Sequence, residues 1–161
     1  MDLVTTLEAE GVTCWLDGGW GVDSLLGQQT RNHGDLDLVL HRGDVERVRN
    51  LLLDGGYAVI RDWLPMSLAL RDSQGREVDL HPVDPTGDGG GDQVLEDGST
   101  WHYSAPVEGS VGGRTVRCAP ATDQLAMHEG YAPREVDHAD VRRLCARFDL
   151  APPVWLEQGS A

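Results

Sequence analysis

The chain is predicted to fold as an α/β protein of the α+β kind. The expected architecture is a mixed β-sheet with helices on one side and a small C-terminal helical segment. Two observations carry this. Apolar residues recur at helical spacing in some segments and alternate or cluster in short runs in others. Their order reads helix–strand–helix–strand–helix–strands–helices, without the regular βαβ repeat of a doubly wound sheet. The length, 161 residues, suits one compact domain or a domain with a small helical appendage.

The elements follow in order. Leu3 to Glu10 reads as a short amphipathic helix ended by Gly11, and Val12 to Leu16 as a short buried strand. Gly18-Gly19 turn into a helix carrying Trp20, Val22, Leu25 and Leu26 that stops at Gly27. Gln28 to Gly34 is polar and loop-like, and Leu36 to Leu40 is a strand. Val45, Val48, Leu51 and Leu52 define a helix, with Asp44 as its N-cap and Gly55-Gly56 as its stop. Tyr57 to Trp63 and Met66 to Arg71 read as strands. The turn Asp72-Ser73-Gln74-Gly75 leads to a return arm over Arg76 to Val83. Asp84 to Gly98, rich in Asp, Gly and Pro, is expected to be a long structureless loop, of the kind that is either functional or disordered. Val111 to Val116 reads as a second hairpin around Gly112-Gly113. Pro120 opens a helix through Glu129, and Val136, Val141, Leu144, Cys145 and Phe148 mark another. The expected division is a main domain over residues 1–118, a helical segment over 119–150 and a peripheral tail over 151–161.

Composition narrows the function. Formal net charge is -14 and the sequence pI about 4.6. That argues against a nucleic-acid partner, because phosphate backbones recruit Lys/Arg-rich faces. All 13 basic residues are Arg. An acidic surface attracts cationic small molecules, and it also serves plain solubility. No apolar run is long enough to span a membrane and no signal peptide is visible, so a cytoplasmic location is expected. Cys14, Cys118 and Cys145 lack metal or redox spacing and read as free thiols.

Asp35-Leu36-Asp37 is the motif with most chemical content. On a strand, Asp35 and Asp37 point to one face. Two adjacent carboxylates repel each other, and a site that keeps them usually binds a hard divalent cation, typically Mg²⁺ shared with substrate phosphates. The Gly18-Gly19 turn into a helix supplies N–H groups for an anion. Together they suggest nucleotidyl transfer. Bland readings stand beside each residue. Asp35 also suits a turn, Asp37 a solvated strand position and Asp79 a surface charge, while Gly18-Gly19 also suits a plain turn and His33 a loop. His81, on the face of Asp79, fits three roles: orienting Asp79, contacting an acceptor, or making a structural hydrogen bond. Trp20, Trp63, Trp101 and Tyr131 suit an acceptor pocket or the core, and His128 suits helix packing.

Several segments resemble the antibiotic nucleotidyltransferases of the polymerase-β-like superfamily. The small lincosamide nucleotidyltransferases are nearest and the aminoglycoside 2''-nucleotidyltransferases more distant. The resemblance rests on Trp15 to Asp23, Arg31 to Asp37, Val78-Asp79-Leu80-His81-Pro82, His128-Glu129-Gly130-Tyr131 and Asp137-His138-Ala139-Asp140, in order along nearly the whole chain. It implies a nucleotidyltransferase fold in which Asp35 and Asp37 hold Mg²⁺ and Asp79 completes the site as ligand, base or both. It further implies that Gly18, Gly19, Arg31 and His33 bind the nucleotide and that His81, Trp101 and Tyr131 face the acceptor. The expected activity is Mg²⁺-dependent transfer of NMP, most simply AMP from ATP, to a hydroxyl of a small-molecule antibiotic, a lincosamide first. The alternatives are the same chemistry on an aminoglycoside, another natural product or a protein, or an inactive nucleotide-binding module. Small relatives often pair, so a homodimer is expected.

Two departures bear on the acceptor. Gly18-Gly19-Trp20 lacks the Ser that many superfamily members carry in this turn. Ser67 and Ala69 stand where the lincosamide relatives tend to carry an Arg and a Glu.

Overall fold

The structure, a computed structural model, describes residues 2–128 and 132–158. Its framework is a nine-stranded mixed sheet with helices packed against it, as the sequence predicts. The strands are β1 (Cys14–Leu16), β2 (Asp35–His41), β3 (Ala58–Trp63), β4 (Ser67–Arg71), β5 (Glu77–Pro85), β6 (Gly91–Val94), β7 (Thr100–Tyr103), β8 (Val107–Val111) and β9 (Arg114–Cys118). The main path runs β3-β4-β5-β2-β1-β9-β8, with β6 and β7 attached through the end of β5. β2 lies parallel to β5 and antiparallel to β1, while β1 pairs in parallel with β9.

Strand parity assigns the two faces of the sheet. Leu38, Leu40, Leu68, Leu70, Val78 and Leu80 point to one face. They pack there with Val4 and Leu7 of α1 (Asp2–Ala9) and with Val45, Val48 and Leu52 of α3 (Val45–Asp54). Burying a Leu or Val side chain in such a cluster contributes about 1.5–3 kcal/mol. The alternate residues of β2 and β5 (Asp37, Val39, Asp79 and His81) point to the other face. A smaller cluster of Trp15, Val39, Val83, Tyr103 and Ala119 covers part of that face.

α2 (Gly18–Leu26) follows β1 immediately, and Gly27 closes it at φ +71. Its Val22 packs with Ala121 of α4 (Ala121–Met127) and Leu144 of α5 (Glu135–Phe148). The helix expected to run through Glu129 ends at Met127; Glu129 lies outside the described residues. In the expected tail, α6 (Val154–Gln158) buries Leu156 and sets the Trp155 ring edge-on to His138 at 5.0 Å.

The segment from Asp84 to Gly98 is not structureless. Gly91–Val94 forms β6, pairing with β5 at Asp84↔Asp92 and Pro85↔Gly91 and with β7 over Gly91↔Tyr103 to Val94↔Thr100. Gly90 and Gly91 allow a close approach. A Cβ on Gly90 would stand 2.1 Å from the Tyr103 carbonyl oxygen, and one on Gly91 2.6 Å from Val83 Cγ2.

Candidate active site

The site begins where β1 hands over to α2. Asp17 is extended (φ -128), and its N–H donates to the Asp37 carbonyl oxygen at 3.0 Å, fastening the turn to β2. Gly18 then takes φ +54, a left-handed conformation that suits glycine. A Cβ on Gly18 would lie 2.2 Å from Asp37 Oδ2, and one on Gly19 would lie 2.2 Å from His33 Nδ1. A side chain at either position would displace Asp37 or His33. The first-turn N–H groups of a helix lack helical acceptors, and the helix dipole favours an anion beside them.

Asp17 is buried yet carries charge-bearing oxygens. Tyr103 Oη donates to Oδ2 at 2.9 Å and Gln124 Nε2 to Oδ1 at 2.8 Å. Burial, and then Asp37, push its carboxyl pKa up, only partly offset by His81, Tyr103 and the Gly18 N–H. This network ties β7 and α4 to the glycine turn.

The sheet register sets the carboxylates side by side. Asp35 pairs with Glu77, Asp37 with Asp79 and Val39 with His81 across the parallel β2–β5 ladder. The same row as Asp37 and Asp79 continues through Ala69 on β4 to Arg61 on β3. Ala69 is small, so Arg61 reaches over it to ion-pair with Asp79, while its guanidinium stacks 5.0 Å from the Trp63 ring centroid. Asp79 Oδ1 is buried with no hydrogen-bond partner among the described residues. Burial raises the Asp79 pKa, against the pull of His81 and Arg61. Asp35 stands at the exposed start of β2; its pKa is raised by partial burial and then by Asp37, Glu77 and Asp79. His81 Nε2 meets Asp37 Oδ1 at 3.2 Å. Burial disfavours the charged ring, but Asp37 and the other carboxylates overcome this and lift its pKa to about 9.

Among the described residues, one group of candidate metal ligands is compact: Asp37, Asp79 and His81, with ligand atoms within 4.8 Å of one another. Asp35 is not part of it. The donor set suits a hard cation, since it offers two carboxylates, one with a buried oxygen lacking any partner.

A cleft of about 620 Å³ opens over this face. Asp17, Gly18, Gly19, Arg31, Asp35, Asp37 and His81 line one side; Gln124, His128, Arg134, Asp137 and Asp140 line the other. Asp79 does not line it and lies at its margin under Arg61. Arg31 faces the cleft but is held by Asp140 of α5, through Nε at 3.1 Å and Nη2 at 2.9 Å. The His33 ring turns inward instead. Its Nε2 pairs with Asp23, it lies against Trp20 at 4.7 Å, and its side chain is only 2% exposed, so its contact with the turn is through Gly19. Trp101 does not line the cleft: it sits in the β6–β7 hairpin, edge-on to Tyr103 at 6.3 Å. Its strand pairs with β6, opposite Gln93, and not with β5. Tyr131 lies outside the described residues.

Four contributors were not assigned roles from the sequence: Asp17, Arg61, Gln93 and Asp140. An Asp directly before Gly-Gly was a signal for the first. The other three reach the site only through long-range pairing.

The chain is similar to several known proteins. Residues 1–144 match the family model for aminoglycoside-2''-adenylyltransferase. A lincosamide resistance protein of Staphylococcus haemolyticus is 34% identical over 135 residues, covering 83% of this chain and 84% of that one. A 2''-aminoglycoside nucleotidyltransferase of Escherichia coli is 29% identical over 129 residues, covering 72% of this chain and 63% of its own length. Among solved structures, the lincosamide antibiotic adenylyltransferase LnuA with lincomycin bound superposes with a TM-score of 0.81 at 32% identity, covering 90% of this chain and 93% of that one. ANT(2'')-Ia in complex with adenylyl-2''-tobramycin, at 19% identity, shares the fold with a TM-score of 0.67, covering 89% and 84% of the two chains. With its glycine turn, paired carboxylates and sheet order in place, the chain belongs to this family of antibiotic nucleotidyltransferases and is a nucleotidyltransferase.

Proposed function

We propose that the protein is a Mg²⁺-dependent adenylyltransferase that moves AMP from ATP to a hydroxyl of a lincosamide antibiotic. The observation that carries this is the in-register pair Asp37↔Asp79, next to the Gly18-Gly19 turn, with a partnerless buried oxygen on Asp79. Support for the acceptor comes from relatives: the lincosamide proteins are more similar to this chain than the aminoglycoside ones in both sequence and structure.

In this reading the first turn of α2 holds the triphosphate through N–H groups, and Arg31 clamps it from the cleft wall. Asp37 and Asp79, with Asp35 at the mouth, would hold the cation, and Mg²⁺ bound there would supply positive charge that neutralises the phosphates. Asp79 accepts the proton of the acceptor hydroxyl. A base positioned at the acceptor hydroxyl typically contributes about 10²–10⁴-fold. Pyrophosphate leaves along the glycine turn. The reaction belongs in the cytoplasm, where ATP and Mg²⁺ are supplied.

A specific observation favours a second acceptor. Ser67 and Ala69 are small and buried where the lincosamide relatives tend to carry charge, and the surface is strongly acidic. A polycationic aminoglycoside suits such a site. Incubation with ATP, Mg²⁺ and lincomycin, clindamycin or tobramycin, followed by mass spectrometry, separates the two. A product heavier by AMP is expected with a lincosamide, and no product with any of the three refutes the proposal. Asp37→Asn is expected to abolish turnover and to leave the melting temperature near wild type.

A further inference from the structure

Asp37, Asp79 and His81 form a compact trio, and geometry alone would let all three bind a metal. The hairpin beneath them separates their roles. Gln93, on β6, is 4% exposed, and its side-chain Nε2 lies 2.8 Å from the Met66 carbonyl oxygen. A carbonyl oxygen only accepts, so this contact fixes which end of the amide is the NH₂. The second hydrogen of that NH₂ faces His81 Nδ1 at 3.2 Å. A neutral ring must therefore accept at Nδ1 and carry its proton on Nε2, which then donates to Asp37 Oδ1 at 3.2 Å. A charged ring carries a proton on both nitrogens and would set its Nδ1 proton against that NH₂, so the Gln93 contact favours the neutral ring against the pull of the carboxylates. In either state Nε2 bears a hydrogen and has no lone pair to give a cation.

We propose that His81 is not a metal ligand. Gln93 locks its ring as a hydrogen-bond donor that pins one oxygen of Asp37 and leaves the other, against Gly18, for the cation. Gln93 is a positioning residue acting through His81. Metal-bound histidines ordinarily send their remaining N–H to a carboxylate, carbonyl or water. Here Nδ1 faces a donor that the Met66 carbonyl holds in place, the reverse of that arrangement. The hairpin in the Asp- and Gly-rich segment thus decides how the dyad presents itself. This inference rests on the carboxylates binding a divalent cation, as proposed above.

The test uses Mn²⁺, alone and with a non-hydrolysable ATP analogue, on protein carrying ¹⁵N-labelled histidine. Electron spin-echo modulation is expected to show no directly bound histidine nitrogen in the wild type. Gln93→Glu supplies an acceptor for an Nδ1 proton, frees the Nε2 lone pair, and is expected to bring a histidine coupling in. Gln93→Leu is expected to weaken Mn²⁺ binding by about 10-fold, the usual effect of removing such a supporting partner, without lowering the melting temperature enough to unfold the protein. A histidine coupling in the wild type, which needs no variant to fold, overturns the assignment of His81. Unchanged Mn²⁺ affinity in folded Gln93→Leu overturns the role of Gln93. Absence of any Mn²⁺ binding to the wild type overturns the carboxylate reading itself, a result distinct from the other two.

Discussion

At the scale of single residues, Gly18 shows how little freedom the site has. Its φ of +54 and the 2.2 Å that would separate a Cβ from Asp37 Oδ2 are independent demands for glycine. Gly18→Ala must push Asp37 aside or rotate the turn. A displacement of about 1 Å near reacting groups costs about 10²-fold in rate, while the backbone strain itself is only about 1–2 kcal/mol. The expected outcome is a loss of about 10²-fold in kcat/KM in a protein that still melts cooperatively, measured by steady-state kinetics and circular dichroism. Asp35 carries a second prediction. Its pKa is raised in the folded protein, by burial first and then by Asp37, Glu77 and Asp79. A carboxyl raised on folding binds its proton more tightly folded than unfolded. Its contribution to stability is therefore full below about pH 4 and is lost as pH climbs through the raised value. In metal-free protein, Asp35→Asn should melt above wild type at pH 7, with the gain fading as pH falls toward 4. Calorimetry across that window checks it, and a gain independent of pH would contradict the cause given. The paired carboxylates were legible because strand parity is a local rule: Asp35 and Asp37 share a face whatever lies beside them. Their partners were not. That Arg61 serves as counter-ion to Asp79 depends on Ala69 being short and on the β3–β4–β5 register, neither of which is visible in a one-dimensional pattern.

Among the elements, α1 to α5 and the strands from Leu36 to Val83 were read from periodicity to within a few residues, while α6 fell in a segment read as a tail. The β6–β7 hairpin was missed because its sequence signals the opposite. Gly90 and Gly91 read as loop residues, yet they are glycines because Tyr103 and Val83 press against them. The hairpin also delivers Tyr103 to the buried Asp17. Tyr103→Phe removes one of two side-chain donors to a buried carboxyl group. Leaving such a group underbonded costs about 1–3 kcal/mol. Urea denaturation should show a loss of that size, and kcat should fall as well, because Asp17 fixes the turn that leads into α2. Unchanged stability would mean that Tyr103 contributes packing alone.

For the whole molecule, the cleft is walled on one side by the sheet and α2 and on the other by Gln124, His128, Arg134, Asp137 and Asp140, with Arg31 and Asp140 joined across it. The excess of acidic groups is spread through the chain and was evident from composition; its concentration around one cleft, with Asp17, Asp35, Asp37, Asp137 and Asp140 all lining it, was not. Such a field speeds the arrival of cations and is screened by salt, with a Debye length of about 10 Å at 0.1 M and about 3 Å at 1 M. Between those salt concentrations, KM for polycationic tobramycin, if it is a substrate, should rise several-fold more than KM for lincomycin. Steady-state assays at fixed Mg²⁺ measure this, and equal salt slopes would show that the field does not steer the acceptor.

The row that runs Asp37, Asp79, Ala69, Arg61 across four strands ends on β3, which hydrogen-bonds to β4 alone. A border strand is the part of a sheet that can be rewritten at least cost to its neighbours. Here the carboxylates sit on inner strands, gripped from both sides, whereas the positive charge that balances one of them is on loan from the border. Changes at Arg61, Trp63 or Ala69 could retune what the margin of the cleft accepts while the inner ladder keeps its register. The division offers a lineage a way to change its antibiotic without relearning the chemistry.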